Sequence, residues 1–129
     1  MPSTNLYNGG LASNQGTHNI VADQGATFSY TVVYKDAKRT PHNTTGYTAR
    51  MQVRPAVNSA AVALELTTEN GRIIVFGVEG RFDLLVSATD MSTVVEGNYV
   101  YDLEIEAPMT GVVERLLLGN FTVRAEVTR

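Results

Sequence analysis

The chain has 129 residues, 43% hydrophobic and 18% charged, with 10 basic against 13 acidic side chains for a net charge of −3. This is one domain's length, with enough apolar side chains for a core and a charged share below the usual quarter. There is no cysteine, and His18 and His42 are the only histidines, which excludes disulfides, Cys-ligated zinc, iron–sulfur clusters, thiol catalysis and a three-His metal site.

No basic excess exists to neutralise phosphates, so nucleic acid is not an expected partner. The first five residues have neither the positive nor the apolar region of a secretory signal. The longest apolar runs, Ile73–Phe76 and 116–118, are far too short to span a bilayer, so no membrane partner is expected. Synthesis in a reducing cytoplasm fits the lack of cysteine.

Residues 1–17 are dominated by Asn, Gly, Ser and Gln, with Leu6, Tyr7 and Leu11 as isolated apolar residues. Such a composition does not order itself. It reads as a flexible amino-terminal arm before a domain over 18–129, either a plain tail or an arm that orders on a neighbouring subunit through Leu6 and Tyr7.

From Asn19 onward the pattern has period two. Phe28, Tyr30, Val32 and Tyr34 face one way against Thr27, Ser29 and Thr31. Tyr47, Ala49, Met51 and Val53 alternate with Thr48, Arg50, Gln52 and Arg54, the pattern of a half-buried strand. Val62, Leu64 and Leu66 repeat it. Asn70-Gly71 then precedes 72–76, and its φ > 0 preference predicts a hairpin. Phe82, Leu84 and Val86 form the next strand. Residues 87–95 lack a clear period and allow a short helical turn, and Glu96-Gly97-Asn98 is a turn signal. Tyr99, Tyr101, Leu103 and Ile105 alternate with Val100, Asp102, Glu104 and Glu106. Pro108 stops that strand, and Thr110-Gly111 turns the chain into a last one with Phe121, Val123, Ala125 and Val127 on its apolar face.

The sum is seven or eight strands without sustained helical periodicity. One polar face per strand indicates antiparallel sheets. The expected fold is all-β, an antiparallel immunoglobulin-like β-sandwich, with a small closed barrel as the alternative.

Candidate chemistry is sparse. His18 lies at the edge of the arm and His42 in the loop 35–45, neither with a sequence partner, and no Gly-x-Ser-x-Gly elbow occurs. Asp102, Glu104 and Glu106 form a carboxylate ladder. It reads either as a cation or glycosidase site, or as a solvated face paired by Arg50, Arg54 or Arg124. The scattered glycines make no phosphate-cradling loop. No catalytic, cofactor-binding or metal residues are therefore assigned, and no cofactor is expected.

More informative are apolar residues on the nominally polar phase: Val33, Ile74, Phe76, Leu85, Val100, Leu116 and Leu118. Seven such violations suggest that part of the outer surface is covered by something else; bulges that turn some of them inward are the competing explanation. With the arm residues Leu6, Tyr7 and Leu11, the residues Val33, Ile74, Phe76, Leu85, Leu116 and Leu118 make up the candidate assembly interface.

Four blocks follow one another in order: Asp23-Gln24-Gly25-Ala26-Thr27-Phe28, then 44–54 from Thr44-Thr45-Gly46 to Gln52-Val53-Arg54, then 97–104 from Gly97-Asn98-Tyr99 to Leu103-Glu104, then Gly119-Asn120-Phe121-Thr122-Val123 with Val127-Thr128-Arg129. Over residues 23–129 this series resembles the small β-sandwich family of tailed bacteriophages, which includes tail-fibre attachment (collar) proteins and is similar to the amino-terminal domain of upper-baseplate proteins. The resemblance implies a non-enzymatic virion protein, made in the host cytoplasm, whose partners are other tail or baseplate proteins and copies of itself. Residues 1–16 have no counterpart in it. A capsid decoration protein is a variant of the same class. A carbohydrate-binding module using Tyr7, Tyr34, Tyr47, Tyr99 and Tyr101, and a hydrolase using the carboxylate ladder, are the alternatives from other classes.

Overall fold

A computed structural model describes residues 16–36 and 38–128. In chain order these form β1 (Gly16–Thr17), β2 (Ile20–Asp23), β3 (Phe28–Val33), β4 (Thr48–Arg54), β5 (Leu64–Thr67), β6 (Ile73–Phe76), β7 (Arg81–Val86), a short helix α1 (Ala88–Met91), β8 (Gly97–Glu106) and β9 (Val113–Arg124). The strands make two sheets. The larger has the order β1-β9-β8-β4-β5, with β2 continuing β1 along the edge of β9; the smaller has the order β3-β7-β6. Three strands of one sheet facing a β9-β8-β4-β5 sheet, joined by crossovers, is the immunoglobulin-like arrangement.

The alternation drives the burial. Ala49, Met51 and Val53 of β4 and Tyr101, Leu103 and Ile105 of β8 point inward. They meet Phe28 and Val32 of β3, Phe82, Leu84 and Val86 of β7, and Phe121 and Val123 of β9 in a single core. Edge-to-face rings tie its middle together: Phe28 and Tyr101 both pack against Phe121, at centroid distances of 5.5 and 6.2 Å. The helical turn at 88–91 has Ser87 as its N-cap, whose hydroxyl accepts the Asp90 N–H. Met91 is fully buried in the core.

The sheets differ from the expectation in three ways. First, the sandwich is not wholly antiparallel, and the described residues hold nine strands. β1 and β2 run parallel to β9, so Gly16 and Thr17, assigned to the arm by composition, belong to the large sheet. Second, Asn70-Gly71 turns the chain but closes no hairpin. β5 pairs with β4, whereas β6 pairs with β7, so the turn carries the chain from one sheet to the other. Asn70 builds it locally, its side-chain oxygen accepting the N–H groups of Thr67 and Arg72 at 2.9 and 3.0 Å. Third, the last strand ends at Arg124, and Ala125 and Val127 are exposed beyond it.

The long loop between β3 and β4 is held by a close approach. Thr44 is fully buried, and its N–H donates to the Gly77 carbonyl at 2.8 Å. A Cβ on Gly77 would lie 2.5 Å from the Thr45 Cα, so only glycine fits beneath this loop.

Candidate functional site

Register decides where each candidate residue goes. On the outer face of the small sheet, Val33, Arg81 and Phe76 form one cross-strand row, Thr31, Asp83 and Ile74 the next, and Ser29 and Leu85 the third. Four of the nominated residues (Val33, Ile74, Phe76 and Leu85) are thereby brought onto one face. Ile74 and Leu85 are each 43% exposed, and Val33 and Phe76 are half-buried. Phe76 owes its partial cover to Arg81, whose guanidinium carbon sits 4.0 Å from the ring centroid. Glu79 holds that guanidinium from the side at 3.1 Å. The face mixes these four apolar residues with Ser29, Thr31 and the paired Arg81 and Asp83.

Leu116 does not belong to any outer face. The β8–β9 ladder shifts register between Leu103 and Glu104: Leu103 opposes Leu117, while Glu104 opposes Arg115. The extra residue, Leu116, is turned inward with Leu117, and both are buried. A bulge accounts for it, as it does whenever two consecutive residues of one strand share one opposing position. Leu118, two residues on, is half-buried on the outer face of the large sheet, where Val100 also lies. Leu6, Tyr7 and Leu11 lie outside the described residues.

The large sheet's outer face is a shallow groove of about 730 Å³. Asp102 and Glu104 of the carboxylate ladder lie along it, each facing an arginine, while Glu106 is exposed beyond it. Arg50 bonds Glu104 at 3.1 Å, and Arg115 reaches Asp102 at 3.5 Å. Arg54 is occupied by Gln52 and the Ser59 carbonyl, both at 2.6 Å, and Gln52 in turn donates to Glu65 at 2.8 Å. Arg124, also considered for the ladder, pairs with Asp23 of β2 at 2.7 Å instead. Partial burial and the neighbouring Glu104 push the Asp102 carboxyl above its ordinary range, against the opposing pull of Arg115, Arg50 and Arg54. Among the described residues no group of three or more His, Asp or Glu is placed to hold a metal ion.

Tyrosines do not line up as a platform. Tyr34 and Tyr101 are buried in the core, and Tyr47 and Tyr99 are half-buried against it. The Tyr101 hydroxyl donates to the His18 carbonyl at 2.7 Å and the Tyr34 hydroxyl to Glu114 at 3.1 Å. Burial, reinforced at Tyr34 by Glu114, raises both phenols so that they stay neutral.

Sequence reasoning missed a second set of exposed apolar residues at the tip of the β8–β9 hairpin: Met109, Val112 and Val113. The signal was present in the run Met109-Thr110-Gly111-Val112-Val113, where apolar residues flank a turn that has no core to face.

No protein-family model matches the chain, and no curated protein matches it. Among solved structures, the N-terminal domain of phage TP901-1 ORF48 is similar over 83% of this chain and 85% of that one, with 12% identity and a TM-score of 0.49.

Proposed function

We propose that the chain is a non-enzymatic structural protein of a bacteriophage virion: a tail, collar or baseplate adaptor that assembles in several copies and helps attach tail fibres. The observation that carries the assembly role is the outer face of the small sheet. Val33, Ile74, Phe76 and Leu85 gather there, where a lone sandwich in water has polar residues. The ordered series of sequence blocks over 23–129 supports the phage context. Two of the three ladder carboxylates, Asp102 and Glu104, are tied to arginines on neighbouring strands, an arrangement that holds a sheet surface together. Small domains repeated around a symmetric body gain hold from many weak contacts.

Negative-stain microscopy of virions carrying gold-labelled protein tests this reading. Gold at the tail or its tip is the expected result. Gold on heads would favour the decoration variant, and unlabelled particles would refute a virion role.

A further inference from the structure

The two sheets expose four edges, and they are not equally guarded. β5 carries Glu65. β2 carries Asp23, which is paired to Arg124. β6 is four residues long and follows Arg72, whose guanidinium donates to the Glu65 carbonyl and to Asp90. β3 is different. Like β6 it includes no charge and no proline, but it is longer, with six residues, Phe-Ser-Tyr-Thr-Val-Val, in a ladder with β7 that runs without a register shift. Charges, prolines and bulges are the devices that normally keep an edge from pairing, and along its other side β3 has no strand partner among the described residues.

Hydrogen-bond phase shows which groups that edge offers. The Leu85 N–H donates to the Arg72 carbonyl, away from β3, while the Tyr34 N–H donates to the Gly80 carbonyl at the other end of the β3–β7 ladder. In an antiparallel pair the direction alternates residue by residue. Ser29, Thr31 and Val33, opposite Leu85, Asp83 and Arg81, therefore turn their N–H and C=O groups to the open side. The inner face is also incomplete there. Tyr30 shares a row with Leu84 and Ile73, which are 1% and 2% exposed, yet Tyr30 itself is only half-buried.

We infer that β3 pairs antiparallel with β3 of a second copy, across a two-fold axis at Thr31. The segment is self-complementary in this register. Ser29 meets Val33 of the other copy and Thr31 meets Thr31, so three donors and three acceptors on each strand are satisfied with no like charges opposed. Val32 of the second copy comes opposite Tyr30 and covers it. The two small sheets become one six-stranded sheet. This pairing does not depend on the virion reading.

Because the chain has no cysteine, the register can be read by cross-linking the full-length protein. Directly opposed hydrogen-bonded residues have Cα atoms about 5.5 Å apart, within the range of about 4.4–6.8 Å that a disulfide spans. Thr31→Cys should form a disulfide-linked dimer under mild oxidation. Ser29→Cys should not, because its counterpart lies about 14 Å away along the strand. Ser29→Cys combined with Val33→Cys should restore the link. Thr31→Pro removes an N–H that faces the open side of the edge, so it should leave the fold intact and halve the mass measured by light scattering. Failure of Thr31→Cys to cross-link overturns the proposal. So does a Thr31→Pro protein that keeps the wild-type mass. Loss of oligomers in Thr31→Pro, with no cross-link in Thr31→Cys, would assign the edge to another segment and equally refute pairing between β3 strands. None of these outcomes bears on whether gold appears on virions, so the two readings fail separately.

Discussion

Leu116 and Leu118 are two residues apart, share a side-chain type and carry the same off-phase signature, yet the bulge gives them opposite fates. Leu116 is 6% exposed and sits beside Leu117 in the core, whereas Leu118 is half-buried on the outer face. Truncating Leu116 to alanine forfeits about 2 kcal/mol of transfer free energy, and the space left between two packed sheets adds about 1 kcal/mol more. Leu116→Ala should therefore cost about 3 kcal/mol. Leu118→Ala removes roughly half of one side chain's burial and leaves no closed cavity, so about 1 kcal/mol or less is expected. For a domain of this length, 1 kcal/mol corresponds to roughly 3–6 °C in Tm, which separates the two variants by about 6 °C or more. Urea titration with an unchanged m-value, checked by calorimetry, measures the difference. Equal losses in the two variants would refute the bulge and with it the inward turn of Leu116.

Five further substitutions have outcomes set by the same geometry. Gly77→Ala forces a methyl against the Thr45 backbone and strains the Thr44–Gly77 hydrogen bond, so a loss of about 2–4 kcal/mol is expected in chemical denaturation; Gly71→Ala, with nothing within 4 Å but a φ of +81°, should lose only about 1 kcal/mol. The folded-state pKa of Asp102 is raised, so the folded chain binds more protons than the unfolded one. That contribution favours folding below the unfolded carboxyl range and is lost as pH rises through the folded pKa. Asp102→Asn should therefore gain on the wild type in thermal melts as pH rises from below the ordinary carboxyl range to above it. Asp23 behaves in the opposite sense, because the Arg124 hydrogen bond lowers its pKa: its contribution is present above the unfolded range and fades as pH falls through the folded pKa, so Asp23→Asn should be less stable than the wild type at pH 7, with the gap closing as pH falls below the ordinary carboxyl range. Glu104→Gln, at an ion pair whose arginine is 62% exposed, should change stability by less than about 1 kcal/mol, and less still at high salt.

What the sequence made legible was the strands whose period is long and uninterrupted. Ala49, Met51 and Val53, and Tyr101, Leu103 and Ile105, were assigned inward from alternation alone, and all are buried. The short helical turn allowed within 87–95 was equally local, and it forms at Ala88–Met91. What escaped was non-local. β1 and β2 are short and partly polar, and their order comes from lying parallel along the edge of β9, which no periodicity encodes. Asn70-Gly71 announced a turn but not its destination, because hairpin and sheet-to-sheet crossover share the same backbone chemistry. The bulge at Leu116 has no residue signature, since either leucine in 116–117 could have been the extra one. It also decided the ladder's partners: the register beyond it sets Arg115 opposite Glu104 and within reach of Asp102, while Arg124 lies beside Asp23 at the other end of the strand.

If the outer face of the small sheet attaches this domain to a phage particle, as proposed, charges placed on that face should block incorporation. Ile74→Lys with Leu85→Asp puts two charges on residues already 43% exposed, the lysine opposite Asp83, so folding should survive with a Tm within a few degrees of the wild type. Particles assembled in cells expressing epitope-tagged wild-type or doubly substituted chain can then be purified and their tagged copies counted by quantitative immunoblot. Several wild-type copies per particle and none of the folded double variant are expected. Equal incorporation of the two proteins would contradict attachment through this face.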